Sequence, residues 1–139
     1  MADAPPPVSL RLPRGPEAPR QARHAVIEEL SGRLDASAVN DVALVVTELV
    51  TNSVREGAGG ATQELGLDVG VVADHVLIAV SDRGAQIVPR PRRRGNGATL
   101  GLGLQLVDRL AQAWGVARDG AGHTRVWCEL PLERPRQSA

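Results

Sequence analysis

Helical spacing brings an acid and an amide together in the middle of the chain. Glu48 and Asn52 are four residues apart in the segment Glu-Leu-Val-Thr-Asn, so they share one face of a helix. The amide oxygen of Asn52 is a hard ligand of the kind that Mg²⁺ prefers, and the Glu48 carboxylate can orient or deprotonate an attacking hydroxyl. A solvated polar stripe is the simpler alternative. The largely apolar surroundings weigh against it, because buried polar groups need partners.

A second group of polar residues stands at the ends of predicted strands. Asp82 follows an apolar strand and precedes Gly84. Its carboxylate can accept a hydrogen bond from an exocyclic amine such as that of adenine, and a glycine lets a ligand approach the backbone closely. Thr124 begins the last strand, where its hydroxyl can bond a ring nitrogen or a water beside Asp82. An ordinary turn and an ordinary strand threonine explain the same residues.

Two glycines open the third predicted helix, in the segment Gly101-Leu102-Gly103-Leu104. Glycines at a helix N-terminus expose backbone N–H groups to an anion, and the helix dipole adds to the attraction. This arrangement suits a di- or triphosphate, although a simple hinge is the alternative. The dinucleotide fingerprint is not matched, because its glycines follow the first strand of a βαβ unit and these follow a long loop.

Hydrophobic periodicity predicts the element order β-α-α-β-β-loop-α-β-β. The second predicted helix begins after Asp35 or Ser37 as N-cap and ends near Gly57, and its apolar surface extends almost all the way round. The predicted strands are 8–12, 64–73, 76–81, 116–118 and 124–130, and the other helices are 19–34 and 100–114. Strands in hairpins, one of them turning at Asp74-His75, with helices on one face make a two-layer α+β sandwich. Long aperiodic loops such as 83–100 are usually functional lids or disordered.

Length and composition bound the fold further. The 139 residues suit one domain, predicted over 8–131, with a disordered lead-in at 1–7 and a loose tail at 132–139. Only two residues are aromatic, and both are tryptophans. The core must therefore consist mainly of Val, Leu, Ile and Ala.

Charge and residue usage exclude several classes of function. The 16 acidic and 16 basic residues balance, so no net field attracts nucleic acid or a membrane. Lysine is absent, which excludes a P-loop and Schiff-base chemistry. The single cysteine, Cys128, makes no internal disulfide and indicates a reducing, cytoplasmic compartment. No apolar run is long enough for a transmembrane helix.

Taken in order, these motifs resemble the signature of the GHKL ATPases. The segment 48–52 resembles the N box, 81–84 the first glycine box, 100–116 the second glycine box, and 123–127 the closing threonine-bearing strand. In its short length and in the segments ELVTN and LVDRLAQAWGV, the chain most resembles the anti-sigma-factor serine/threonine kinases. The resemblance covers about residues 8–131 and implies the Bergerat fold.

The resemblance also implies a role for each matching residue. Asn52 would be the Mg²⁺ ligand and Glu48 the general base. Asp82, followed by Gly84, would hold the adenine amine with the help of Thr124. Residues 85–100 would be a lid over ATP, and the triphosphate would be cradled by Gly101, Leu102, Gly103 and Leu104. Family members act as cytoplasmic homodimers. They hold a sigma factor inactive and phosphorylate a serine on a STAS-type antagonist protein.

Three departures from the family pattern leave an alternative open. Gln86 stands where the first glycine box usually has a second glycine, Glu56 adds a carboxylate after the N box, and residues 90–94 are rich in arginine. Gln86 and Glu56 favour a catalytically inactive binding module that sequesters a regulatory partner, whereas the arginines can neutralise a γ-phosphate, bind an acidic partner or simply be solvated. A histidine-kinase catalytic domain ranks lower, since no dimerisation helix with a phosphoacceptor histidine is present. A metal-independent hydrolase ranks lower still.

Overall fold

The computed structural model describes residues 8–56, 64–82, 104–118 and 124–132, without the side chains of Glu56, Asp82 and Arg118. Within these ranges the predicted element order is confirmed. The strands are β1 (Val8–Pro13), β2 (Glu64–Val72), β3 (His75–Asp82), β4 (Ala113–Arg118) and β5 (Thr124–Pro131), and the helices are α1 (Ala18–Leu30), α2 (Ala36–Glu56) and α3 (Leu104–Leu110). The expectations for the lead-in 1–7, the lid 85–100 and the tail from residue 133 concern residues outside these ranges.

The five strands form one sheet in the order β1-β2-β3-β5-β4, and every neighbouring pair is antiparallel. Alternate residues of each strand face the helices. Leu67, for example, lies opposite Leu10 on β1 and Val80 on β3. The predicted two-layer α+β architecture is therefore confirmed. The core is aliphatic, as the composition predicted, with Trp114 and Cys128 as its only other buried members within the described ranges.

Helices α1 and α2 pack against each other. Hydrogen bonds in the connection between them define where α1 ends and where α2 begins. The backbone N–H of Ala38 donates to the Asp35 carboxylate at 2.8 Å, so Asp35, one of the two predicted N-caps, caps α2. The predicted end of α1 at Leu34 is wrong. The helix ends at Leu30, and beyond it the N–H groups of Arg33 and Leu34 both bond the Leu30 carbonyl in a turn around the helix-weakening Gly32.

Helix α2 contacts α1, β3 and α3, which confirms that it is covered on more than one side. Its wholly buried residues include Val42, Val45, Val46, Leu49 and Val50. The apolar surface nevertheless stops short of a full circle, because the side chain of Leu44 is 47% exposed. A strip of α2 is therefore left without a covering element among the described residues.

The hairpin between β2 and β3 turns one residue earlier than predicted. Val72 pairs with His75, so the turn residues are Ala73 and Asp74 rather than Asp74 and His75. Ala73 has a φ of 53°, a conformation that two-residue hairpin turns require and that glycine usually supplies. The N–H of Leu132 donates to the Asp74 carbonyl, which fastens the end of β5 to this turn.

The predicted helix 100–114 is wrong at its C-terminal end. Helix α3 ends at Leu110, and Trp114 and Gly115 belong to β4 instead. The switch occurs at Gln112, whose N–H donates to the Glu129 carbonyl of β5 rather than to a helical carbonyl. Pairing with β5 thus overrides the helical periodicity, and the apolar residues stay buried in either conformation.

Gly115 is needed because the indole of Trp127 lies across it. A Cβ atom at residue 115 would come within 3.0–3.1 Å of three atoms of that ring. We predict that Gly115→Ala lowers the free energy of unfolding by about 1–3 kcal/mol, the usual cost of overpacking. Gly32→Ala is the matched control, since nothing lies within 4 Å of its Cβ position. Denaturant unfolding checks both, and equal stability of the two variants would contradict this packing.

Cys128 is fully buried on β5, and burial, together with the neighbouring Glu129 charge, raises the pKa of its thiol. Because the thiolate is the reactive form, we predict that a maleimide labels the native chain at least about 1000-fold more slowly than the unfolded chain. Rapid labelling of the native chain would contradict the burial.

The higher folded-state pKa of the Cys128 thiol also means that the free energy of unfolding declines as pH rises above the ordinary thiol pKa of about 8.5.

Candidate functional site

Glu48 and Asn52 lie on the uncovered strip of α2. Both side chains are half-buried, next to the wholly buried Val45 and Leu49. Among the described residues, neither side chain has a hydrogen-bond or ion-pair partner. Two polar groups, one turn apart and partly withdrawn from water, are thus left free to bind something else. This fits a ligand site better than the fully solvated stripe that was the alternative.

Asp82 and Thr124 meet at one end of the sheet. Asp82 is the last residue of β3 and pairs with Leu65 on β2. Ser81, the preceding residue, pairs with Arg125, so Asp82 and Thr124 are neighbours across the β3–β5 junction. The side chain of Asp82 is outside the described part of the chain, and Thr124 is half-buried. The register thus supports the expectation that these residues act at one place.

The helix that carries Glu48 and Asn52 is in direct contact with the strand that carries Asp82. Helix α2, with Glu48 and Asn52, packs on β3, the strand that ends at Asp82. Helix α3 packs on α2 in turn, and its first residue, Leu104, is buried. Of the predicted phosphate-binding residues, Leu104 alone is described. Gly84, Gly101, Leu102 and Gly103 lie outside the described residues.

One polar contact near this region was not predicted. The indole Nε1 of Trp114 donates a hydrogen bond to the carboxylate of Asp108 at 2.8 Å, joining β4 to α3. Two signals in the sequence point to it. A buried tryptophan usually finds a partner for its N–H, and an aspartate near a helix C-terminus is unfavourable unless something offsets the helix dipole.

Comparison with known proteins settles the family. The family model described as the histidine kinase-like ATPase domain matches residues 12–128, which includes six of the eight elements whole, the last two residues of β1 and the first five of β5. The chain belongs to this family. No curated protein gives a significant match. Membership of the histidine kinase-like ATPase family confirms the GHKL resemblance and implies ATP binding, usually with Mg²⁺.

The described residues fit such a cofactor. No group of three or more His, Cys, Asp or Glu side chains within them is placed to hold a metal. Mg²⁺ in nucleotide sites is usually held by one or two protein ligands together with substrate phosphates and water. The free Asn52 amide is a suitable single ligand of that kind. None of the helices in the described part of the chain has the length and apolar composition to cross a membrane.

Asn52 as Mg²⁺ ligand gives a direct prediction. We expect Asn52→Ala to weaken ATP binding in the presence of Mg²⁺ by about 10- to 100-fold, in the range seen when groups that support a metal are removed. Without Mg²⁺ the variant and the natural chain should bind ATP alike. Isothermal calorimetry measures both conditions.

The matched control is Asn40→Ala, which removes an exposed amide from the same helix. It should leave ATP binding unchanged with and without Mg²⁺. A loss of affinity in Asn52→Ala that is the same in both conditions would assign Asn52 a role other than metal binding.

Proposed function

We propose that this chain is an ATP-dependent protein serine/threonine kinase that also acts as an anti-sigma factor. It binds a sigma factor and phosphorylates a serine or threonine on a STAS-type antagonist. The observation that carries the catalytic part is the pair Glu48 and Asn52, half-buried on one turn of α2 and without a side-chain partner in the described part of the chain. The ELVTN and LVDRLAQAWGV segments support the regulatory part, through their similarity to anti-sigma-factor kinases.

Phosphoryl transfer depends on positioning and charge neutralisation more than on covalent groups. When bound, Mg²⁺ neutralises charge on the transferring phosphate. Asn52 would hold the metal through its amide oxygen. Glu48, one turn away on α2, accepts a hydrogen bond from the attacking hydroxyl of the substrate protein and takes its proton.

The adenine and the phosphates are assigned to different elements. Asp82 accepts a hydrogen bond from the adenine amine, and Thr124, its neighbour across the β3–β5 junction, assists. Backbone N–H groups at residues 101–104 bind the phosphates. This division places the base at the sheet end and the reacting phosphate beside α2, where Glu48 can act.

The partners follow from the resemblance. We expect a homodimer that works in the cytoplasm and contacts proteins rather than nucleic acid or membrane. The equal numbers of acidic and basic residues agree with this expectation, because no net charge steers the chain to a polyanion.

The second candidate function is an inactive binding module of the same fold. Gln86 and Glu56 favour it, since an extra carboxylate near a triphosphate is repulsive. Such a module would hold its partner tightly with no transfer of phosphate. The two functions therefore differ in phosphate incorporation and not in partner binding.

The kinase proposal predicts a separation between binding and transfer. Glu48→Gln should bind ATP with nearly unchanged affinity but transfer phosphate at least about 100-fold more slowly, because removing a general base costs about 10²–10⁴-fold. The measurement uses labelled ATP and a purified STAS-type protein from the same genome. Glu29→Gln, an exposed acid on α1, is the control and should keep full activity.

The variant Asp82→Asn tests the assignment of Asp82 to the adenine amine. The substitution replaces the carboxylate by a neutral and weaker acceptor, so this variant should lose nucleotide affinity and, with it, transfer. Full transfer by both Glu48→Gln and Asp82→Asn would make the site assignment wrong. Tight partner binding by the natural chain with no phosphate incorporation would favour the inactive module.

A further inference from the structure

Two side-chain N–H groups on strand β5 are buried without a hydrogen-bond partner. They are Nε of Arg125 and Nε1 of Trp127, and neither has an acceptor among the described residues. Native proteins pair almost all of their buried polar groups, so an unpaired one calls for an explanation, such as a bound water or ion. Because these two donors belong to alternate residues of one strand, they lie side by side, and one acceptor group can complete both.

Both side chains lie on the face of the sheet that points away from the helices. The residues that alternate with them on β5, Val126 and Cys128, belong to the hydrophobic core, and successive side chains of a strand point to opposite faces. Trp127 is 3% exposed and yet is not part of that core. This outer face is therefore separate from the proposed ATP site, which lies beside α2.

The indole of Trp127 lies flat across the neighbouring strand β4. Its Nε1, Cε2 and Cζ2 atoms are all 3.0–3.1 Å from the position that a Cβ of Gly115 would take, so the face of the ring rests on Gly115 and its N–H points along the sheet. The other outward residues of β4 are Ala113 and Ala117. These alanines offer no side-chain acceptor to the indole N–H, and their small size lets a ligand lie over β4 beside the ring.

The charges of the outer face favour an anion on the Arg125 side of the indole. Within the described residues, Arg125 belongs to none of the ion pairs. Ser81, which stands opposite Arg125 on β3, adds a buried hydroxyl. The acidic residue of the same row, Glu129, follows Trp127 on its other side, and its carboxylate already accepts a hydrogen bond from Gln112 at 3.3 Å.

We infer that Arg125 and Trp127 form a binding site for a carboxylate. One carboxylate oxygen accepts the indole N–H, and the other accepts from the guanidinium, which also balances the single negative charge. A phosphate group carries up to two negative charges near neutral pH, more than one guanidinium balances. Arg125 is half-buried, and its long side chain can move to admit the ligand. The carboxylate comes either from a free small acid or from an acidic side chain of another protein.

The indole N–H groups report on this site directly, because the chain has only two tryptophans. Each gives one indole peak in a proton–nitrogen NMR spectrum, and Trp114→Phe shows which peak belongs to Trp127. We expect sodium acetate at neutral pH to shift the Trp127 peak to saturation, with a Kd in about the millimolar range. The Trp114 peak should not move, since that N–H already bonds Asp108. Sodium chloride at the same ionic strength is the reference.

Substitutions at Arg125 test the cation. Arg125→Gln should weaken acetate binding at least about tenfold, the effect of removing a charged hydrogen-bond partner, and Arg125→Met is the second variant should the first not fold. Arg109→Gln, which removes an exposed arginine from α3, should respond as the natural chain does.

A blocked glutamate peptide distinguishes the two sources of the carboxylate. Saturation of the Trp127 shift at lower concentrations of this peptide than of acetate supports a protein ligand, and the reverse supports a small acid. The inference is overturned if neither compound gives a saturable shift, or if Arg125→Gln and Arg125→Met respond like the natural chain. Inorganic phosphate that binds as well as acetate would overturn the carboxylate assignment.

Discussion

The burial of α2 on three sides is the constraint on which the rest of the structure depends. With only two aromatic residues in the chain, the core has to be filled by many small aliphatic side chains, and α2 supplies a large share of them. A helix held by α1, β3 and α3 cannot rotate to solvate its remaining polar residues. Glu48 and Asn52 are therefore kept half-buried and one turn apart, the arrangement that the proposed metal-dependent transfer requires.

Most of the fold could be predicted from the sequence because its elements carry strong local signals. The alternation in β2 and the apolar stripe of α2 have periods that only one kind of element satisfies, and Asp35 offered a cap that the structure uses. The candidate site followed from motif order rather than from any single residue. Four weak motifs at family intervals were enough to indicate the family that the match over residues 12–128 confirms.

The errors occurred where tertiary pairing decides the local conformation. The segment 111–114 has helical spacing, yet the N–H of Gln112 bonds the Glu129 carbonyl of β5, and the chain continues as strand β4 from Ala113. No local sequence signal reveals a partner 17 residues away. The turn between β2 and β3 was predicted one residue too late, because an alanine in the sequence does not indicate the positive φ that Ala73 adopts. The Trp114–Asp108 contact was not predicted either, because its two sequence signals do not identify the partner and the contact exists only once β4 lies beside α3.

The most direct test of the account is a calorimetric titration of the natural chain with ATP and, separately, with GTP in the presence of Mg²⁺. Asp82 is assigned to the adenine amine, and guanine carries a carbonyl oxygen at that place. We predict saturable binding of one ATP per chain, with GTP at least about tenfold weaker, a difference of about 1.4 kcal/mol. Equal binding of the two nucleotides would contradict the adenine assignment, and binding of neither would contradict the ATP site altogether.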